Sequence, residues 1–247
     1  MLLNLFFMGH LAALPNPFED FKFLASVYSN GVFLCGGTFI TNDVVLTAAH
    51  CVRNSQPSFS VIDHFQEVAH DGLEEHSLFA VKCIKLSPRF SFGTFPINDI
   101  AILKLHRERQ PSDHIALDYF RYVSEPGFKF EAIEWKHYPD GSKNPFPVST
   151  NILPLANCSL FEESLPAQIL CVSFSTPPNI EFGGPLIYRD SKETVLVGIF
   201  SWLKPSINRL PSIFTRVDHH TRWISNFTRF GTEVSSEDCP STRTLGE

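Results

Sequence analysis

Short apolar runs separated by polar turns follow one another along most of the chain, and their lengths are typical of β-strands. Two of these runs, Phe21 to Tyr28 and Val32 to Ile40, flank the polar triplet Ser29-Asn30-Gly31. An Asn-Gly pair between two apolar runs is a strong signal for a β-hairpin. Further along, Phe79 to Ile84 alternates apolar and polar residues as a half-buried strand does. No helix-rich segment interrupts these runs, so the pattern predicts an all-β fold.

Three motifs stand out against this pattern. The stretch Ile180 to Leu186 places Gly183-Gly184-Pro185 ahead of an apolar run, which marks a tight turn where the backbone closely approaches another part of the molecule. The second motif is Cys35 to Ile40 followed by Val45 to Cys51, which ends in His50. The third is Asn98 to Leu105, where an apolar strand follows Asp99, a sequence that suits a buried carboxylate at the head of the strand.

Composition excludes several classes of function. The 247 residues suffice for one large β unit or two halves, and the 24 phenylalanines indicate an aromatic-rich core. A formal net charge of −6 provides no basic surface for nucleic acid. No apolar run approaches the roughly 20 residues that span a bilayer. We therefore expect no nucleic-acid partner and no membrane span.

Cysteine usage indicates a secretory route. The six cysteines include no Cys-x-x-Cys pair, and their wide spacing favours disulfides over a zinc ribbon. Asn157-Cys158-Ser159 and Asn226-Phe227-Thr228 are glycosylation sequons that such a route would make usable at Asn157 and Asn226. Residues 1–14 resemble the apolar part of a signal peptide without its basic start, so a signal peptide and a truncated start both stay open. After Gly231 the composition predicts a mobile tail.

The three motifs, taken in their order along the chain (the His50 motif, the Asp99 motif and the Gly-Gly-Pro motif), resemble those of the chymotrypsin/trypsin-like serine proteases over about residues 21–228. The resemblance implies two packed six-stranded antiparallel Greek-key β-barrels, the first over about 21–112 and the second over about 113–230. The stretch His219 to Phe230 resembles the closing helix of that fold. Residues 1–20 are then an N-terminal segment, and residues 231–247 are the tail.

The resemblance assigns catalytic positions and also shows that one of them has changed. It makes His50 the general base and Asp99 the group that orients it. The residue before the Gly-Gly-Pro is the nucleophilic serine in the family, and in this chain it is Phe182. A phenyl ring cannot attack a carbonyl, and loss of one triad member typically lowers turnover on the order of a millionfold. The triad is therefore expected to be vestigial.

The groups around the triad also differ from the family pattern. The oxyanion position is formed by the amides of residues 180 and 182, and Ile180 replaces a glycine whose backbone conformation a β-branched residue adopts poorly. Leu203 and Ser212 replace two pocket glycines and should narrow the primary specificity pocket. The pocket base aligns near Thr176.

Activation and disulfide bonding follow from the same resemblance. Family members are cut after a basic residue, and the new ammonium pairs with the carboxylate before the serine. Glu181 keeps that carboxylate, but Lys22 is the first basic residue, and the sequence offers no obvious ammonium for Glu181. The resemblance pairs Cys35 with Cys51 and Cys158 with Cys171. It favours a Cys83–Cys239 bond that would pin the tail, with two free or externally paired thiols as the alternative.

Two rim loops have unusual compositions. One is the segment Asp63 to His76, and the other runs from Trp135 to Gly141 and leads to Phe146. The first loop contains His64, His70 and His76 together with Glu67, Asp71, Glu74 and Glu75. Some family members bind calcium in this region, but we interpret these groups as an exposed, solvated loop and expect no metal and no cofactor. Exposed aromatic residues beside polar groups are typical of protein-binding surfaces.

The function predicted from these features is that of a secreted, catalytically inactive serine protease homologue. Its partner is then a protein, such as a protease, a protease substrate or an inhibitor, bound by a rim loop. The first alternative is an active serine-type hydrolase with an unrecognised nucleophile. The second is a small-molecule carrier that uses the former substrate cleft, for which the sequence contains no signal.

Overall fold

The structure is a computed structural model of the chain, and it describes part of the 247 residues. The described ranges are 18–54, 58–64, 77–93, 95–110, 114–123, 127–139, 143–155, 158, 165–174, 179–203 and 211–230. Their strands are β1 Leu24–Ser29, β2 Val32–Thr41, β3 Val44–Thr47, β4 Phe59–Asp63, β5 Leu78–Leu86, β6 Ser91–Phe92, β7 Pro96–Ile97, β8 Ala101–Leu105, β9 Ala116–Leu117, β10 Phe130–His137, β11 Lys143–Leu153, β12 Ile169–Ser173, β13 Pro185–Arg189, β14 Thr194–Leu203 and β15 Ser212–Arg216. Their α-helices are α1 Ala49–Val52 and α2 Thr221–Phe230.

The first six-stranded barrel closes in the order β1-β2-β3-β8-β5-β4, with every neighbouring pair antiparallel. Its interior contains one apolar cluster that includes Val27, Phe39, Phe79 and Leu103. Strand β5 illustrates how the alternating sequence pattern corresponds to burial in this barrel. Its residues alternate between exposed and buried over Leu78 to Cys83, so that Phe79, Val81 and Cys83 face the core.

The second barrel follows the order β13-β10-β11-β12-β15-β14, and the pairing of β13 with β14 closes it. The short strand β9 adds to β14 in parallel at the edge. The interior cluster of this barrel includes Phe130, Leu170, Phe200 and Phe214. The prediction of two six-stranded antiparallel barrels with a C-terminal helix is therefore confirmed. The limits at residues 21, 112 and 230 stay predictions.

A third apolar cluster joins the two barrels and holds the closing helix. It contains Leu46 and Ile102 from the first barrel together with Ile133 and Ile199 from the second. Ile224 of α2 is buried in the same cluster, with Trp223 and Phe227 of the helix packed against it. Among the described residues, no helix combines the length and apolar character needed to cross a bilayer.

Two backbone predictions made from glycines are confirmed. Asn30 and Gly31 connect β1 to β2 with φ angles of 49° and 77°, as a tight hairpin turn requires. Gly183 has a φ of 81°, and a Cβ at this position would lie 2.3 Å from the carbonyl oxygen of Gly36. Only glycine allows so close an approach of the 180–186 turn to strand β2.

Two predictions about the rim loops are wrong. His64 is buried rather than exposed, because its Nε2 lies 2.6 Å from Ser26 Oγ and its ring packs against Phe18 and Trp135. Trp135 itself is only 5% exposed, since it is part of strand β10 and packs into the cluster between the barrels. Asp63 is also buried and pairs with Arg109 at 3.1 Å. Residues 65–76, with His70, His76 and the four carboxylates, lie outside the described residues.

Candidate functional site

The site lies at the junction of the two barrels, where His50 and Asp99 meet. His50 follows strand β3 on the short helix α1, and Asp99 lies directly before strand β8, which pairs with β3. The Asp99 carboxylate is fully buried. Its Oδ2 lies 2.7 Å from His50 Nδ1, and its Oδ1 accepts the His50 backbone N–H at 2.8 Å. The carboxylate therefore fixes both the backbone and the ring of the histidine.

Two residues of the second barrel complete the surroundings of Asp99, and sequence reasoning did not identify either. Ser201 Oγ donates to Asp99 Oδ2 at 2.6 Å, and Thr215 Oγ1 donates to the Asp99 carbonyl oxygen at 3.1 Å. Only the packing of the two barrels brings these two hydroxyls to Asp99. The three motifs that carry the family resemblance contain neither Ser201 nor Thr215.

A phenyl ring lies beside His50, at the residue that the family resemblance assigns to the nucleophile. The Phe182 ring meets the His50 ring edge-on at 5.3 Å between centroids, and it stacks on Phe200 at 5.0 Å. The Phe182 side chain is 40% exposed, so it covers the histidine at the mouth of the site. No hydroxyl of the described residues hydrogen-bonds to His50. His50 Nε2 instead contacts Cys51 Sγ at 3.5 Å.

The backbone around Phe182 is rigidly held. The Phe182 carbonyl oxygen accepts from the Gly36 N–H at 2.7 Å, and the Gly183 N–H donates to the Phe200 carbonyl at 2.8 Å. Among the described non-glycine residues, those with a positive φ are Asn30, Asn98 and Phe120. Ile180 is not one of them. The side chain of Ile180 packs against the core cluster of the second barrel.

The walls of the expected specificity pocket contain side chains where the family has glycines. Leu203 and Ser212 face each other as partners in the β14–β15 ladder. Leu203 packs against the cluster that contains Phe200 and Phe214, and Ser212 is buried with no hydrogen-bond partner for its Oγ. The narrowing of the pocket stays a prediction, and Thr176 lies outside the described residues.

Glu181 does have an ammonium partner, contrary to the expectation from sequence. Lys143 Nζ, at the start of strand β11, lies 2.9 Å from Glu181 Oε1. The same ammonium lies 4.6 Å from the Trp135 ring centroid and 5.0 Å from that of Phe33. Lys143 is 38 residues from Glu181 in sequence, so only the fold brings them together. The chain thus supplies internally a cation that pairs with the carboxylate before the nucleophile position.

The Lys143→Met variant is expected to lower the free energy of unfolding by about 2 kcal/mol, because it leaves the partly buried Glu181 carboxylate unpaired. Glu181 Oε2 already lacks a hydrogen-bond partner, so nothing nearby replaces the lost cation. The measurement is urea unfolding. The control is Lys82→Met, which replaces an exposed lysine of β5 and should leave the free energy of unfolding within about 0.5 kcal/mol of wild type. A Lys143→Met/Glu181→Gln double variant should regain part of the loss. Equal stability of Lys143→Met and Lys82→Met would contradict a structural role for the pair.

Disulfides brace the loops around the site. Cys35 and Cys51 are bonded, with their Cα atoms 6.3 Å apart, and Cys158 and Cys171 are bonded, with their Cα atoms 6.0 Å apart. Cys83 is also disulfide-bonded. Cys239 lies outside the described residues, so the Cys83–Cys239 pairing stays a prediction.

One group of metal-ligand atoms occurs in the part of the chain that the structure describes. It consists of Cys35, His50 and Cys51. Both cysteines are bonded to each other in a disulfide and therefore have no thiolate to bind a metal ion, so this group does not suit one.

Of the two sequon asparagines, Asn226 is exposed on α2, whereas Asn157 lies outside the described residues.

The two antiparallel barrels, the closing helix and the His50–Asp99 pair at their junction define a trypsin-like fold. The sequence model of the Trypsin family matches residues 14–224, and the chain belongs to this family.

Several known proteins resemble the chain over most of its length. A protein C activator of Agkistrodon contortrix contortrix is 28% identical over 232 residues, which covers 90% of this chain and 96% of the relative. A vitellin-degrading protease of Bombyx mori is 29% identical over 218 residues, which covers 81% and 78%. Among solved structures, kallikrein-related peptidase 10 in complex with Zn²⁺ matches with a TM-score of 0.68 and 22% identity. That match covers 88% of this chain and 99% of the other.

Proposed function

We propose that this protein is a secreted member of the trypsin family that has lost peptidase activity and acts by binding another protein. The single observation that carries this proposal is the Phe182 ring packed edge-on against His50, at the position of the nucleophile. A base without a hydroxyl beside it cannot generate the alkoxide that attacks a peptide carbonyl. Disulfide bonding and the 28% identity to a snake venom serine protease of Gloydius halys support the extracellular location.

The oxyanion position provides independent support for inactivity. Acyl transfer requires backbone amides aimed at the oxygen that becomes charged, and one such donor is typically worth a factor of about 10²–10³ in turnover. Ile180 lies at this position with a negative φ and packs its side chain into the core. The amide geometry that a glycine would provide is therefore not expected here.

The exposed aromatic residues that suit a protein partner lie on the β10–β11 hairpin. Tyr138 and Phe146 are 44% and 43% exposed, and the Lys136 ammonium lies 3.1 Å from the Phe146 ring centroid. Large aromatic side chains are enriched at the core of protein interfaces and among the residues that dominate binding. We propose that a protease, a protease substrate or an inhibitor docks on this hairpin, here called the β10–β11 rim. The buried Trp135 is excluded from that role.

The Tyr138→Ala/Phe146→Ala variant is expected to lose at least about tenfold in partner affinity, because hot-spot aromatic residues contribute about 2 kcal/mol or more. The measurement is capture from the native extracellular fluid on immobilised protein, followed by titration of the captured partner against each variant. Tyr119→Ala, which removes an exposed aromatic residue outside the rim, is the matched control and should bind as wild type. His50→Ala should also bind normally. Loss of capture with His50→Ala, or with a small cleft-directed inhibitor, would show that the cleft is the binding site.

A further inference from the structure

A cavity of about 400 Å³ lies on the side of the molecule formed by the closing helix, the end of β5 and the segment before β12. Its lining includes Arg89, Gln168, His219, His220 and Arg222. Among the described residues that line it there is no carboxylate, although the chain as a whole has a net charge of −6. The volume falls within the range of small-molecule sites.

The two arginines of the cavity are available to a ligand. Neither Arg89 nor Arg222 forms an ion pair with any residue that the structure describes, and both are exposed at the rim. Two carboxylates adjoin the lining residues in sequence, and both are buried and already paired: Asp218 with Arg216 Nε at 2.9 Å and Asp99 with His50 Nδ1 at 2.7 Å. The positive charge of the cavity is therefore not neutralised from within. Guanidinium groups prefer oxyanions because their parallel N–H donors match two oxygens at once.

Two hydrogen-bond acceptors accompany the arginines. Gln168 Oε1 is buried and has no hydrogen-bond partner, which is a costly arrangement unless a ligand or water donates to it. His220 donates from Nδ1 to the Arg216 carbonyl at 2.8 Å, so its Nε2 remains as an acceptor. Burial, the main cause, lowers the pKa of His220, which favours the neutral ring at neutral pH.

Trp223 adds an apolar wall to the same cavity. Its ring lies 6.3 Å from the His220 ring, and the partly buried side chain is fixed by the core cluster beneath it. An indole beside polar groups suits a ligand that has one apolar face and several hydroxyls.

We propose that this cavity binds a sugar-sized phosphate or sulfate ester. The two arginines take the oxyanion, Gln168 Oε1 and His220 Nε2 accept from ring hydroxyls, and Trp223 contacts the face of the ring. A phosphate and a sulfate ester share this chemistry, and they differ in charge, because a phosphate monoester carries about −1.5 to −2 near pH 7 and a sulfate ester about −1. The site is independent of the proposed loss of peptidase activity.

Isothermal titration of the full-length chain with glucose 6-phosphate, glucose 6-sulfate, glucose and inorganic phosphate tests this proposal. The Asn226→Gln background is used, because Asn226 lines the cavity and begins a sequon. At least one ester is expected to bind more tightly than both glucose and inorganic phosphate, and the stronger one identifies the preferred oxyanion. If glucose bound as tightly as the esters, the charged group would not be needed and the proposal would be wrong. If inorganic phosphate bound as tightly as the esters, the sugar ring would not be needed, which would also overturn it. Absence of binding by both esters would overturn the site.

Variants locate the binding. Arg89→Gln/Arg222→Gln should weaken ester binding by about tenfold for each arginine, the usual contribution of a hydrogen bond to a charged group. Arg121→Gln removes an exposed arginine that does not line the cavity, and it should bind the ester as wild type does. The thermal unfolding midpoint of each variant is measured alongside. Unchanged affinity in a folded Arg89→Gln/Arg222→Gln variant would place the ligand elsewhere and overturn the proposal.

Discussion

The Phe182→Ser variant is expected to show no measurable peptidase activity, even though it restores a hydroxyl beside His50. The reason is that Ile180, which has no positive φ, is not expected to present its amide as an oxyanion donor, a loss worth about 10²–10³ in turnover. Leu203 and Ser212 are also expected to narrow the specificity pocket. The Phe182→Ser/Ile180→Gly double variant should exceed the single variant by about a hundredfold, because glycine adopts the required conformation without strain. The activities of the single and the double variant are measured as rates of hydrolysis of a panel of peptide thioesters, divided by the concentration of active sites from titration.

The matched control for that gain is the triple variant that also carries His50→Ala. It should lose the activity of the double variant, because the base that accepts the serine proton is then absent. Measurable turnover by Phe182→Ser alone would show that the oxyanion position and the pocket have changed less than we propose. Activity that survives His50→Ala would indicate a different catalytic group.

The Trp135→Ala variant is expected to lower the free energy of unfolding by about 3–5 kcal/mol, the usual cost of deleting a buried aromatic side chain. Trp135 packs against Phe18 and His64, so its removal leaves a cavity in the apolar cluster between the barrels. It also lies next to the Lys143 ammonium, so its removal takes away one contact that holds Lys143 beside Glu181. Urea unfolding measures the loss.

Tyr138→Ala is the control for Trp135→Ala. Tyr138 lies three residues later on the same hairpin but is exposed, so its replacement should change stability by less than about 0.5 kcal/mol. The contrast separates a structural residue from a binding residue within one short segment. A loss of less than about 1 kcal/mol in Trp135→Ala would contradict the packing described here.

The motifs that predicted the fold correctly are those in which a short sequence determines a local backbone shape. The Asn30-Gly31 turn and the close approach of Gly183 to Gly36 are of this kind, because few residues other than glycine tolerate those φ angles. The alternation along β5 likewise predicted which side chains face the core. These local rules, with the resemblance to the trypsin family, were enough to predict the barrels and the closing helix.

Features that depend on contacts between distant segments were not predictable in the same way. Trp135 begins a polar stretch that is typical of a loop, but pairing with β11 makes Trp135 to His137 part of a strand, and Trp135 faces the core. His64 was assigned to an exposed loop because nothing in its neighbourhood reveals the Ser26 hydroxyl from β1. The partner of Glu181 was missed for the same reason, since Lys143 meets it only through the register of the second barrel.

The proposed loss of catalysis is tested most directly by labelling the wild-type protein with a fluorophosphonate probe, which reacts with an activated serine. The protein is treated before and after limited trypsin cleavage, with trypsin itself as the positive control and mass spectrometry to locate the label. No labelling is expected under either condition, because Phe182 offers no nucleophile to His50. Stoichiometric labelling of any serine, abolished by His50→Ala, would contradict it and would identify an active hydrolase.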